Sequence, residues 1–331
     1  MHASIIITTF RRPEKLAALV RSLASQDVDD FEVLVTVDGV EPDAHAAARE
    51  AWAPADPRRL VHVEGDRLGP CAARNRAIER ARGDVLIFFN DDVVAAPDCV
   101  RAHLEAHRER ADRPAIIVGD SPWKRRHPDS LFARMLRDTS MVFFHHRMRD
   151  DTDRERDWGF RHAWLLNLSA PAASVRAVGG LRVIQKTYGR DDDELAFRMT
   201  GELGMPVLWR PEALVTHDHP MSPVEYLARE HELGVGAVAF ALGAPACAQA
   251  MFGRDVTSRD SIDEAAALIE RGEREALALR PWFLTLDTRL PNSLDPHEAY
   301  ERHLPLKRWC WRQGYLRGAA AAGLLASRAA A

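Results

Sequence analysis

Cysteine is scarce in this chain of 331 residues: Cys71, Cys99, Cys247 and Cys310 stand far apart, and no two form a CxxC pair. That argues against a disulfide framework or a cysteine-based zinc site and for reduced thiols. No run of about 18 apolar residues is present to span a bilayer. The chain passes straight into Ser4-Ile5-Ile6-Ile7, without the basic segment, apolar stretch and cleavage site of a secretory signal. A cytoplasmic protein, at most peripheral to the inner face of the membrane, is the expectation. Charge of one sign is lacking too: 45 Lys and Arg against 49 Asp and Glu leave a formal −4, with no general pull toward nucleic acid. There is no internal repeat, no low-complexity linker apart from the Ala-rich end, and no Gly-rich, Lys-bearing phosphate loop.

What is present centres on Val85-Leu86-Ile87-Phe88-Phe89-Asn90-Asp91-Asp92-Val93. An unbroken apolar run of this kind predicts a strand buried in a parallel sheet. It ends in an amide and two carboxylates, which are costly to bury unless a cation or hydrogen-bond donors meet them. Open α/β sheets place ligands at such strand ends. The plainer reading is an acidic strand-to-loop turn.

The segments before it predict a βαβ arrangement. Ile5 to Phe10 reads as a strand, Pro13 as a helix start, and Leu16, Leu19, Val20 and Leu23 as the apolar stripe of a helix. Phe31 to Val37 is the next strand, running into Asp38-Gly39. A helix around 43–52 and a short strand at 59–63 follow. Gly69-Pro70 then opens a helix carrying Arg74 and Asn75, where helix-start amides and a guanidinium suit a diphosphate. Alone, Arg74 reads as easily as a surface residue.

Taken together and in this order, the strand from Ser4 to Phe10, Asp38-Gly39, the Gly69 to Ile78 segment and Phe89-Asn90-Asp91-Asp92 resemble the donor half of family 2 glycosyltransferases. The resemblance implies a GT-A fold: a Rossmann-like, mixed but mostly parallel sheet flanked by helices. It also implies a divalent ion, Mn²⁺ or Mg²⁺, on the donor diphosphate. By that match Asp92 is the metal-binding residue of the DxD motif, Asp91 the middle position, and Asn90 stands where the family has its first Asp. Thr8, Phe10, Asp38, Arg74, Asn90 and Asp91 fall on donor-binding positions.

Farther along, Ala115 to Gly119 reads as a strand. Residues 125–161 are charged and irregular and are expected to form a solvated, mobile segment, a lid over the site. His145, His146, Asp150 and Asp151 within it could bind metal, but the basic residues between them argue otherwise. Trp158, Phe160 and Trp164 read equally as core or as sugar-stacking residues.

Val178-Gly179-Gly180-Leu181 matches the family's Gly-Gly turn, which places Gly179 and Gly180, with Trp164, on the acceptor side. Asp191-Asp192-Asp193-Glu194-Leu195 follows, after Tyr188, Gly189 and Arg190. Carboxylates at a helix start are favoured by its dipole, so capping would explain one or two. Four in a row repel one another. The resemblance assigns Asp192 as general base and Asp191 as the stand-in for the usual Glu. Pro206 to Trp209 and Ala213 to Thr216 read as an extended pair ending in His217-Asp218-His219. His217 matches the last metal ligand best, and His219 is the alternative.

From Ser222 onward the pattern is helical, with a capping box expected at Ser261 and Glu264, a turn at Pro291-Asn292-Ser293 and a further helical region over 296–325. Trp309, Trp311 and Tyr315 among basic residues make a stretch that packs on the catalytic domain or touches a membrane surface. The expected division is a catalytic domain over 1–220 and a helical region over 221–331 packing on it. The activity the resemblance implies is inverting transfer from a uridine, guanosine or thymidine diphosphate sugar to an acceptor hydroxyl on a glycan, a lipid-linked molecule or a small molecule. Two other readings stand beside it: a metal-dependent nucleotidyl or phosphoryl transferase, and a non-catalytic sugar-nucleotide-binding relative.

Overall fold

The computed structural model describes residues 1–184, 189–288 and 294–325. Tyr188 and the turn expected at Pro291-Asn292-Ser293 lie outside them. The chain divides into two compact units, Met1–Lys124 with Arg147–His219, and Arg125–His146 with Pro220–Ala331.

The first unit begins with β1 (Ala3–Thr9), α1 (Pro13–Ala24), β2 (Phe31–Val37), α2 (Pro42–Trp52), β3 (Leu60–Val63), α3 (Pro70–Arg80) and β4 (Val85–Asn90). Each of the three helices opens on a proline, whose fixed φ and missing N–H suit that position. Isoleucine and valine fill β1 and β2, and nearly every residue of both is buried. Helix α1 buries Leu16, Leu19, Val20 and Leu23, the stripe read from the sequence.

Next come β5 (Val93–Ala95), α4 (Cys99–Glu109), β6 (Ile116–Gly119), α5 (Leu131–Asp138), α6 (His145–Arg149), β7 (Asn167–Pro171), α7 (Ala172–Ala177), α8 (Asp191–Leu203), β8 (Val207–Arg210) and β9 (Val215–His217). Seven strands form one sheet in the order β3-β2-β1-β4-β7-β6-β8. All its pairs are parallel except those of β7, which runs antiparallel to β4 and β6. This is the mixed, mostly parallel sheet that was expected.

The central strand ends where it was read to end, and one other strand expectation changes. The central strand stops at Asn90, and β5 leaves the sheet to pair antiparallel with β9, Val93 facing His217. The segments before His217 are not a pair: β8 joins β6 in the large sheet while β9 joins β5. The small ribbon therefore sets Asp92 beside the histidines.

The expectation of an irregular, solvated segment over 125–161 fails in part: helices α5 and α6 lie in it, while residues 150–157 are mostly exposed and without regular structure. Helix α5 lies within it and buries Leu131, Phe132, Met135 and Leu136, with Ser130 as its N-cap. Trp164 is 8% exposed and belongs to the core, while Trp158 and Phe160 are half-buried. All four cysteines are buried free thiols.

The second unit holds α5 with α9 (Pro223–Gly243), α10 (Pro245–Phe252), α11 (Arg259–Leu284) and α12 (Pro296–Ala321). Phe132 sets its ring edge against Tyr226 and Phe283. The capping box is at Ser222 and Glu225, opening α9. At α11 the N-cap is Ser258, and the Ser261 hydroxyl donates instead to the Asp255 carbonyl, so the box expected there does not form. Helices α9 and α12 meet backbone to backbone: a Cβ on Gly314 would fall 1.9 Å from the His231 carbonyl oxygen. Trp309 and Tyr315 are buried within this unit, the tyrosine hydroxyl donating to the Val256 carbonyl. Those two rings are unavailable to a membrane surface. No helix among the described residues is long and apolar enough to cross a membrane.

Candidate active site

Asn90 ends β4 and Asp91 and Asp92 make the turn that follows, at the C-terminal edge of the parallel strands. Both carboxylates are buried. Asp91 accepts from the Thr9 hydroxyl at 2.7 Å and from Arg12 at 3.1 Å. Burial pushes its pKa up; Arg12 opposes this and the Asp92 charge adds to it.

Asp92 meets two imidazoles. His219 Nδ1 lies 2.9 Å from its Oδ2, and His217 Nε2 lies 3.6 Å from its Oδ1. Burial raises the pKa of Asp92, but hydrogen bonds and charge from His217 and His219 outweigh it and hold the carboxyl well below the usual range. The histidines are carried by β9 and the residues just after it, and backbone bonds fix them. His217 N–H donates to the Pro122 carbonyl and Asp218 N–H to the Asp92 carbonyl at 2.7 Å. Trp123 lies against the His217 ring, centroids 4.3 Å apart.

One ligand atom from each of Asp92, His217 and His219 falls within 4.8 Å of the others, the one such grouping among the described residues. Asp92 Oδ1 is buried and, among the described residues, its nearest imidazole nitrogen is His217 Nε2 at 3.6 Å, beyond close hydrogen-bond reach. A carboxylate and two imidazoles, with one carboxylate oxygen left over, fit a divalent transition ion. His145, His146, Asp150 and Asp151 make no comparable grouping; Asp151 is taken by Arg156.

Arg74 joins the strand end to the acidic helix. It donates to Asp191 at 2.8 Å and to the Asn90 side-chain oxygen at 3.4 Å. Asp191 thus has a cation. Asp192 has no ion pair among the described residues and accepts only from the Asp193 N–H at 2.9 Å. Burial, then the charges of Asp193 and Asp191, push its pKa well above the ordinary Asp range. Burial raises Asp193 to about 6, against Arg190 and Arg161.

Glu194 plays another part. It is buried and holds Arg198 through two bonds, at 2.7 and 2.6 Å, while Arg198 also donates to the carbonyls of Val178 and Gly180. Asn75 completes the turn by exchanging two hydrogen bonds with the Leu181 backbone, at 2.8 and 2.9 Å. Gly180, at φ +68°, is required there, because a Cβ would fall 2.7 Å from the Asn75 side-chain oxygen.

Among the remaining expected residues, Asp38 accepts from the Leu68 and Gly69 N–H groups and so fixes the loop entering α3. The Thr8 hydroxyl is buried with no hydrogen-bond partner among the described residues. The Phe10 ring lies under the Arg67 guanidinium, 4.4 Å from its centroid. Thr9 and Arg12 were missed. Their signal was position: a hydroxyl and a cation at the end of β1, the strand beside the one carrying the carboxylates.

Residues 4–165 match the family model described as Glycosyl transferase family 2. The N-terminal half of the chain is that of a family 2 glycosyltransferase. The resemblance to family 2 glycosyltransferases read from the sequence is thereby borne out. An uncharacterized glycosyltransferase, YfnE of Bacillus subtilis, is 35% identical over 126 residues, 38% of this chain and 31% of its own. Validoxylamine A glucosyltransferase of Streptomyces hygroscopicus is 29% identical over 225 residues, 62% of this chain and 52% of its own. The chain spans about half or less of the length of these curated relatives. A mannosyltransferase from Pyrobaculum calidifontis, solved with GDP-Man and Mn²⁺, superimposes with a TM-score of 0.54 at 18% identity, covering 98% of this chain and 87% of that one. That likeness is one of fold, and the fold is GT-A.

Proposed function

We propose that this family 2 glycosyltransferase moves a sugar from a nucleoside diphosphate to an acceptor hydroxyl with inversion at the anomeric carbon. The observation that carries the reading is Arg74, which bridges Asn90 at the donor-side strand end and Asp191 at the start of α8. It ties the helix bearing Asp192 to the edge where the carboxylate and imidazoles gather. The GDP-Man and Mn²⁺ held by the mannosyltransferase of like fold support a sugar nucleotide and a divalent ion here.

In this reading Asp92, His217 and His219 hold the ion, and Thr8, Asp38 and Arg74 line the donor. A bound divalent ion would offset charge on the departing diphosphate. Asp192 takes the proton from the acceptor hydroxyl as its oxygen bonds to the anomeric carbon. The bond from that carbon to the diphosphate oxygen breaks, and the electron pair leaves with the nucleoside diphosphate. No covalent intermediate on the protein is required.

A panel of uridine, guanosine and thymidine diphosphate sugars with Mn²⁺ and simple acceptors tests this. Release of nucleoside diphosphate with acceptor-dependent rate is the expected result. Release of nucleoside monophosphate would instead indicate nucleotidyl or phosphoryl transfer. Tight binding with no turnover across acceptors would indicate a non-catalytic relative.

A further inference from the structure

Arg12 occupies the position a metal would contest. Its guanidinium reaches Asp91 Oδ1 at 3.1 Å and Asp92 Oδ2 at 3.0 Å. The same Asp92 oxygen also meets His219 Nδ1 at 2.9 Å. The carboxylate side chains are 7% exposed, whereas that of Arg12 is 45% exposed. Two buried carboxylates side by side need a cation, and Arg12 supplies it.

A divalent ion on the other oxygen of Asp92 would stand within a carboxylate's width of the one Arg12 holds, and the two cations would repel strongly. The nearby cations differ in this respect. Lys15 and Lys124 are held by Asp218, and Arg74 by Asp191. Arg12 alone among these four touches a proposed metal ligand. Its long, half-exposed side chain can leave without disturbing the core, and a planar guanidinium pairs well with phosphate oxygens.

We propose that Arg12 is the internal counter-ion of the metal-free site and a further donor-binding residue: it yields Asp92 to the incoming ion and pairs with the donor diphosphate. This rests on the sugar-nucleotide reading above. The consequence is an opposition of sign. Removing Arg12 should strengthen binding of the ion alone and weaken binding of the nucleotide with its ion.

Calorimetry on the full chain tests both halves, with Arg12→Gln and Arg12→Lys. Mn²⁺ alone should bind Arg12→Gln about tenfold more tightly than the unaltered protein. Uridine or guanosine diphosphate in saturating Mn²⁺ should bind it about tenfold more weakly. Arg12→Lys keeps the charge, so its Mn²⁺ affinity should stay close to that of the unaltered protein. Thermal melts with and without Mn²⁺ report whether each variant is folded, and Mn²⁺ should raise the Tm of Arg12→Gln most. Mn²⁺ affinity that is unchanged or weaker in Arg12→Gln overturns the counter-ion role. Unchanged diphosphate affinity overturns the donor role. If diphosphate binding to the unaltered protein ignores Mn²⁺ altogether, it is the sugar-nucleotide reading that fails.

Discussion

Arg74 and Asp191 form a 2.8 Å ion pair in which both side chains are nearly buried, while Asp192, the next residue, makes no ion pair among the described residues. One carboxylate of the run is neutralised, and its neighbour is the base of the proposed mechanism. Asp192→Asn should lower transfer by about 10² to 10⁴, the usual scale of general acid–base catalysis, and leave nucleoside diphosphate affinity within about twofold. Asp191→Asn should behave differently, releasing Arg74 and weakening donor binding. Steady-state kinetics beside calorimetry separates the two; equal loss of kcat with intact binding in both variants would place the base at Asp191.

The pH profile carries a sign. Burial and the charges of Asp193 and Asp191 raise the Asp192 pKa, and a base must be ionised. The acid limb of kcat/KM should therefore lie above the ordinary Asp range, activity falling as pH drops through it. Asp193→Asn removes one of those charges and should move the limb to lower pH. A raised carboxyl pKa also favours the folded state below the unfolded value, a contribution lost as pH rises through the folded value. Asp192→Asn should thus gain stability relative to the unaltered protein as pH increases toward neutrality, which chemical denaturation at several pH values would reveal.

His219 tests the donor set. Two imidazoles and one carboxylate should prefer Mn²⁺ to Mg²⁺, which favours oxygen ligands. Replacing His219 by Asp adds a second carboxylate and should narrow the preference by about tenfold or more in competition binding. Pulsed electron resonance of bound Mn²⁺ should show nitrogen couplings that decrease in the variant. An unchanged spectrum would remove His219 from the ligand set.

Thr8 offers a test of opposite signs. Its buried hydroxyl has no partner among the described residues, so Thr8→Val should leave thermal stability unchanged or raise it. If the donor supplies the missing partner, the same change should cost about 0.5–1.5 kcal/mol of nucleotide affinity. Unaltered affinity would mean that Thr8 does not face the donor.

Much of this was legible because it was written in local pattern. The isoleucine and valine runs gave β1, β2 and β4, and the acid run marked the start of α8. Other parts were hidden by long-range pairing. Nothing local says that Arg74 reaches Asp191, or that Arg198, paired with Glu194 one turn before it, also holds the Val178 and Gly180 carbonyls. Helix α5 was missed because the charges of Arg125, Arg126, Arg134 and Arg137 masked the spacing of Leu131, Phe132, Met135 and Leu136. The histidines were visible as a pair, but only the β5–β9 ribbon sets both against Asp92.

The reversed direction of β7 has an evolutionary consequence. Because it runs against β4, with Pro171 opposite Val85, the strand delivers the chain to the edge away from Asn90. The path must come back through α7 and the turn held by Asn75 and Arg198 before α8 begins. Residues added or lost on that way back would shift where Asp192 stands while every rung of the sheet is kept. On the proposed reading, this is where the scaffold changes its choice of acceptor without relearning how to fold.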